Sequence, residues 1–231
     1  MKRLDSVIRI QLQTWRSTLS LPWAVLAISF AVNLFSFEMA KDPDSQHGST
    51  GGLAALYVFV AIAFSATPRE YFPITLGLNG TRRGFYGATA LLAVAESLGY
   101  GILVHALGVL ENAIGGWGAG MFFFDVPFLR GLNPMVHLLC LVVPLLLTAF
   151  LGLWVGSIFT RWGKPGMYAL VTTAVVVLGA LSAIASATGL WSDVGRWFDT
   201  EPLPALLIGW PLLITAVLAV AAWFTLRRAR A

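Results

Sequence analysis

The feature that most constrains the fold is a series of six long apolar segments, each followed by a short polar one. They lie at residues 22–37, 51–67, 85–110, 134–159, 167–190 and 204–226. A bilayer core about 30 Å thick needs roughly 20 helical residues to cross it, and the last four segments are long enough. The first two are shorter and would have to extend into their flanking residues. Charged residues make up only 11% of the 231 residues, whereas soluble domains carry about 25%. We therefore predict an all-α integral membrane protein, a single domain over residues 1–231 with six transmembrane helices.

The distribution of charge predicts the orientation of these helices. All of the Lys and Arg residues except Lys41, Arg130 and Arg196 fall on one side of the predicted membrane. Positive charge is retained on the cytoplasmic side, so both termini should be cytoplasmic. Acidic residues cluster in the outer loops: Asp42, Asp44, Glu111, Asp125, Asp193, Asp199 and Glu201. Because the net charge of +4 resides in loops and termini, it indicates membrane topology and no nucleic-acid partner.

The first residues do not resemble a cleaved signal peptide, because the first apolar run starts only near Leu19. Residues 3–19 place their apolar side chains close to one helical face, which predicts an amphipathic helix lying on the membrane surface. A partly ordered basic tail is the alternative. Two outer segments, 111–133 and 191–204, mix aromatic, charged and turn-forming residues. There we expect short re-entrant or interfacial helices.

The cytoplasmic loop at residues 68–84 is unusual because its centre is apolar. Arg69, Arg82 and Arg83 flank the sequence Tyr71-Phe-Pro-Ile-Thr-Leu76. A solvated loop has no need of such a centre, so the segment is predicted to dock on a soluble partner. The alternative is an ordinary basic loop whose aromatic rings rest at the level of the lipid headgroups. Asn79-Gly80 predicts a turn, and Thr81 predicts the N-cap of the next helix.

Motifs for enzymatic chemistry are not found. The sequence lacks a G-x-x-x-x-G-K-[ST] phosphate loop, and Trp162-Gly-Lys-Pro-Gly166 has neither its glycine spacing nor its hydroxyl residue. It also lacks H-E-x-x-H and G-x-S-x-G. We therefore expect no enzyme activity in this chain, and no catalytic, metal or cofactor-binding residues. The only cysteine, Cys140, excludes a disulfide within the chain.

Four features within the predicted spans allow more than one interpretation. Glu96 is an acidic residue deep in a span, and it either lines a transport path or forms a structural hydrogen bond between helices. His105 and His137 fall near the outer ends of two spans and should approach each other, as a metal or proton site or as interfacial polar residues. Gly152-Leu-Trp-Val-Gly156 permits close helix approach and favours, weakly, a dimer contact. Pro144 is expected to kink its span.

These features together resemble the ABC-2 type permeases, the membrane subunits of ATP-binding cassette transporters. The resemblance rests on the six-span topology and on Phe72-Pro-Ile-Thr-Leu-Gly-Leu-Asn-Gly-Thr-Arg-Arg-Gly-Phe-Tyr86. It implies that residues 70–78 form a coupling helix that docks on a separate ATPase subunit, which binds ATP and magnesium. The implied docking residues are Glu70, Tyr71, Phe72, Ile74, Leu76, Arg82 and Arg83, with Phe72 and Tyr71 as main anchors.

The resemblance further implies an exporter in the inner membrane of a bacterial cell, working by alternating access. One copy supplies one coupling helix, so a second permease copy or a sister chain is expected. The apolar spans are compatible with lipids, hydrophobic drugs, peptides or antibiotics as substrates. The alternative function is an ion- or proton-driven transporter or channel that uses Glu96.

Overall fold

A computed structural model describes residues 15–39, 48–118 and 120–229. Its helices are α1 (Trp15–Met39), α2 (Ala54–Gly77), α3 (Arg82–Ala113), α4 (Pro134–Thr188), α5 (Leu190–Thr200) and α6 (Trp210–Leu226). A 3-10 turn spans Pro127–Leu129, and a π-helical segment at Ala205–Gly209 leads into α6. Two short strands, β1 (Gly48–Ser49) and β2 (Met121–Phe122), pair in parallel, with Gly48 opposite Met121.

The helices have the length and composition of a membrane protein. Among the described residues, four helical segments are long and apolar enough to cross a bilayer: Pro22–Met39, Arg82–Ala113, Pro134–Thr188 and Ala205–Leu226. The all-α membrane class is therefore confirmed. The predicted span at 134–159 and all but the last two residues of the span at 167–190 lie in α4, which is interrupted at Gly163. The predicted span at 51–67 lies mostly in α2, which is not among the four, so six crossings stay a prediction.

The N-terminal prediction falls largely outside the described residues. Of the proposed interfacial helix at residues 3–19, only residues 15–19 are described. They form the first part of α1, which continues through Pro22 without a break. From Trp15 onward, the structure therefore has no break that would separate a surface helix from the first span.

Helices α2 and α4 make the most extensive helix contact in the described chain. Gly152 and Gly156 of α4 permit it: a Cβ atom at either position would collide with the carbonyl oxygen of Ala61 or Ser65 in α2. Small residues at this spacing let two helix backbones approach closely. The Gly-x-x-x-Gly motif that we associated with a dimer contact thus packs two helices of the same chain.

The two outer segments differ from each other in structure. The predicted helix in residues 191–204 is present as α5. The described residues 114–118 and 120–126 form no α-helix, because Trp117 and its neighbouring glycines have positive φ angles that a right-handed helix does not allow. This outer loop instead contributes β2 and inserts Phe123 and Phe124 into the main core, beside Phe30 of α1.

Candidate functional site

The connection between α2 and α3, which we call the elbow (residues 69–86), is a compact and well-capped structure. Helix α2 continues through Pro68 and Pro73 as far as Gly77. It ends in a Schellman motif, in which Gly80 N–H donates to the Thr75 carbonyl at 2.8 Å and Asn79 N–H donates to the Leu76 carbonyl at 3.1 Å. Asn79 adopts the left-handed conformation, with φ of 59°.

The start of α3 is fixed by the predicted cap. The Thr81 hydroxyl accepts a hydrogen bond from Gly84 N–H at 3.0 Å, which satisfies one of the free amides of the first turn. The turn at Asn79-Gly80 and the Thr81 cap are thus confirmed. The expected docking helix differs in one respect: it is the continuous end of α2 and not a separate short helix.

Phe72, the expected main anchor, is buried inside the chain. Its ring is fully inaccessible and packs edge to face against Phe85 at 5.4 Å between centroids. Leu226 and Ala229 complete this small cluster. Burial of such a ring stabilises the fold by about 1.5–3 kcal/mol. The chain's own α3 and C-terminal end take the contact that we had assigned to a partner, so the assignment of Phe72 as a docking anchor is corrected.

Two hydrogen bonds hold the elbow to α6. The Arg82 guanidinium donates to the Arg227 carbonyl at 2.6 Å, just beyond the end of α6. The Tyr86 hydroxyl donates to the Ala219 carbonyl at 2.7 Å. A cation at a helix C-terminus satisfies a carbonyl that has no partner within the helix. Arg82 therefore has a structural contact that the sequence did not indicate.

The outward face of the elbow, which we call the elbow surface, consists of Glu70, Ile74, Leu78 and Arg83. Ile74 is 49% exposed and Leu78 is 63% exposed, and Glu70 and Arg83 are also exposed. Residues 70, 74 and 78 recur every fourth position, so they share one helical face. The other predicted docking residues, Tyr71 and Leu76, are half-buried against the Phe72 cluster. Leu78 belongs to this surface although sequence reasoning did not select it.

Glu96, the candidate path residue, is half-buried on α3. One turn along lies Tyr100, whose ring meets Trp23 of α1 edge to face at 5.7 Å. The hydroxyls of Tyr100 and the adjacent Ser97 are buried and have no hydrogen-bond partner among the described residues. The structure thus places the Glu96 carboxylate on α3 near two buried polar groups, which fits both interpretations of Glu96.

His105 and His137 approach each other, as expected. Their ring centroids are 4.8 Å apart, and the ring planes cross at 71°. His105 Nδ1 and His137 Nε2 are buried and have no hydrogen-bond partner in the described ranges. Within those ranges, no group of three or more His, Cys, Asp or Glu residues has a geometry that holds a metal. Structural and catalytic zinc sites have at least three protein ligands, so the described pair alone does not form one.

Glu111 is a further organising residue, and sequence analysis placed it in a loop. Helix α3 extends to Ala113, so Glu111 lies in its last turn and is fully buried. One carboxylate oxygen accepts from the Trp117 indole at 2.5 Å and from Phe123 N–H at 2.8 Å. The other accepts from Phe124 N–H at 2.8 Å and Asp125 N–H at 2.7 Å. Four donors thus satisfy one buried carboxylate.

The Glu111 carboxylate therefore fixes the outer loop against the end of α3. A second polar contact continues the arrangement: Arg130 pairs with the buried Asp125 at 2.5 Å and stacks on the Phe122 ring at 4.4 Å. Because the donors to Glu111 are mainly backbone amides, the residue types around it gave no signal. The only available indication was an acidic residue directly before a glycine-rich aromatic segment.

Comparisons of this chain with protein-family models, with curated proteins and with solved structures gave no match.

Proposed function

We propose that this chain is the membrane (permease) subunit of an ATP-binding cassette exporter of the ABC-2 type. A separate ATPase subunit would bind ATP and magnesium and would dock on the elbow. The observation that supports this proposal best is the elbow surface. Glu70, Ile74 and Leu78 share one exposed face at the end of a capped helix, and the exposed Arg83 follows in the first turn of α3. Such mixed surfaces, with a few apolar anchors, are typical of protein interfaces.

The contacts beneath the elbow surface suit it to transmit movement. The Phe72 cluster and the Arg82–Arg227 hydrogen bond tie the elbow to α6. Helix α2 is in turn packed on α4 through Gly152 and Gly156. Close-packed elements resist compression and move together. A force applied to the elbow by an ATPase would therefore be transmitted to α2, α3 and α6, and through α2 to α4.

The proposal includes a second copy or a sister chain. Every residue from 174 to 184 in the second part of α4 is exposed. A helix that contacts its own chain so little is available to a second subunit. Two subunits would supply the two elbows that a dimeric ATPase needs. Six crossings, cytoplasmic termini and the inner membrane of a bacterial cell belong to the same proposal, supported by the charge asymmetry of the sequence.

The proposal is tested by purification of the tagged protein from the membranes of its source cell. We expect an ABC ATPase, identified by its phosphate-loop peptide in mass spectrometry, to co-purify. Ile74→Asp should abolish co-purification because it places a carboxylate at the centre of the elbow surface. Val194→Asp is the matched control, since it makes the same kind of change at an exposed position on α5. Equal ATPase recovery with Ile74→Asp and the unaltered protein would refute the docking assignment.

The alternative function, an ion- or proton-driven transporter or channel, is favoured by the position of Glu96 beside Tyr100 and Ser97. The two functions predict different results for Glu96→Gln. In an ATP-driven exporter, assembly with the ATPase should be unchanged. In the alternative, ion or proton flux in proteoliposomes is lost without any ATPase being required. Flux through the purified chain alone, abolished by Glu96→Gln, would favour the alternative.

A further inference from the structure

The break in α4 creates an apolar crevice that the proposed function does not use. Gly163 has φ of 64° and ψ of −151°, a combination that is essentially restricted to glycine. It divides the helix into two arms that diverge from this point. The space between the arms has a volume of about 610 Å³ and is lined by Trp154, Ile158 and Trp162 on the first arm and by Ala169, Leu170 and Thr173 on the second.

The size and the lining of this α4 crevice define its occupant in part. Ligand sites generally measure about 300–1,000 Å³ and are mainly apolar. The side chains on both arms are aromatic or aliphatic except Thr173. These side chains can pack against a hydrocarbon chain, and they offer almost no groups that could form hydrogen bonds.

Cationic side chains lie close to the break in α4, where the two arms meet. The Arg161 guanidinium lies 4.1 Å from the centroid of the Trp162 ring, which itself lines the crevice. Lys164 follows Gly163 directly and is exposed. Arg69 of α2 lies 4.2 Å from the ring centroid of Phe159, two residues before Arg161. Among the described residues, none of these three cations has an ion-pair partner.

We propose that the α4 crevice binds an anionic phospholipid. One acyl chain lies between the two arms, and the phosphate faces Arg161 and Lys164. This inference rests on the membrane location of the chain and is independent of the ATPase. A second copy of the chain is a poorer occupant, because an apolar helix surface would cover the cations without neutralising them, and unpaired charge is costly to bury. A phosphate neutralises them.

The test measures lipid adducts on the detergent-purified, full-length protein by native mass spectrometry. Phosphatidylglycerol and phosphatidylcholine with identical acyl chains are added separately at equal concentration. We expect phosphatidylglycerol adducts to dominate. Arg161→Gln and Lys164→Gln should each lower phosphatidylglycerol binding about fivefold, the effect expected for one basic residue near an anionic lipid. Arg228→Gln, which removes an exposed cation at the C-terminus, should leave binding unchanged.

A second pair of variants examines the acyl-chain site. Leu170→Trp fills the α4 crevice and should reduce binding of both lipids. Leu206→Trp is the control, because Leu206 lines a separate apolar crevice of about 460 Å³ beside α5. Equal retention of the two lipids, or equal losses with Arg161→Gln and Arg228→Gln, would overturn the proposal. So would disulfide-linked dimers from Ala169→Cys in a Cys140→Ser background, because they would place a second copy in the crevice. None of these readouts depends on ATPase recovery, so failure here is distinguishable from failure of the exporter assignment.

Discussion

The buried carboxylate of Glu111 allows a quantitative prediction about stability. Four donors converge on it: the Trp117 indole and the backbone amides of Phe123, Phe124 and Asp125. Glu111→Gln keeps the shape of the side chain but replaces one acceptor oxygen with an NH₂ group. Two of the four donors then face a group that cannot accept, and the charge that strengthens all four bonds is lost.

The magnitude follows from the two lost bonds. Hydrogen bonds to charged groups contribute about 1.5–3 kcal/mol each. With the lower value for each of the two lost bonds, Glu111→Gln should reduce the free energy of unfolding by about 3 kcal/mol. For a chain of this size, 1 kcal/mol corresponds to about 2–4 °C in Tm, so Tm should fall by roughly 6–12 °C. Glu111→Ala should lower Tm further, because it leaves all four donors without the carboxylate.

The assay is size-exclusion chromatography of the heated, detergent-purified protein, with Tm taken as the temperature at which half of the folded peak is lost. Asp199→Asn is the control, because it neutralises an exposed carboxylate on α5. It should change Tm by no more than about 2 °C, because surface substitutions usually change stability by at most about 0.5 kcal/mol. A Tm for Glu111→Gln within that same margin would show that the carboxylate does not hold the outer loop.

Four further predictions concern single substitutions, and Tm in the same assay checks the stability effect of each. Gly152→Ala should lower the free energy of unfolding by about 1–3 kcal/mol, because its Cβ collides with the α2 backbone; Gly99→Ala, whose Cβ meets no atom within 4 Å, should not lower it. Phe72→Ala should lower the free energy of unfolding by about 3–5 kcal/mol. A decrease below about 1 kcal/mol would contradict the burial of the Phe72 ring. Ile74→Ala, at an exposed position, should leave Tm nearly unchanged while weakening ATPase recovery. Arg82→Gln should lower the free energy of unfolding by about 1 kcal/mol, because it removes the hydrogen bond to the Arg227 carbonyl. An unchanged Tm would show that this bond does not stabilise the elbow.

Features that depend on local chemistry were predictable from the sequence. Asn79-Gly80 and Thr81 act through their own backbone and side-chain preferences, so the turn and the cap appear where they were expected. The approach of His105 and His137 followed from helix lengths, because both residues were placed near the same ends of neighbouring spans. The helical membrane class followed from the apolar segments alone.

Features that depend on which surfaces meet were not predictable in the same way. Phe72 and Ile74 are both apolar and lie two residues apart, and only the packing of α3 and the C-terminal end decides that one is buried and the other exposed. Gly152 and Gly156 predict that another helix packs closely on α4, but they do not indicate whether that helix belongs to the same chain or to a second copy. Glu111 was assigned to a loop because the apolar segment ends at residue 110, and three of its four donors are backbone amides, which carry no residue-specific signal.

The central claim, that the elbow surface docks on an ABC ATPase, is tested most directly by photo-crosslinking in the intact membrane. A photoreactive amino acid is placed at Ile74, and for comparison at Val194, in cells that naturally make the protein. The account predicts a crosslinked adduct at position 74 that contains an ATPase with a phosphate-loop motif, and no such adduct at position 194. Adducts at position 74 that contain only lipid, or an ATPase captured equally from both positions, would contradict it.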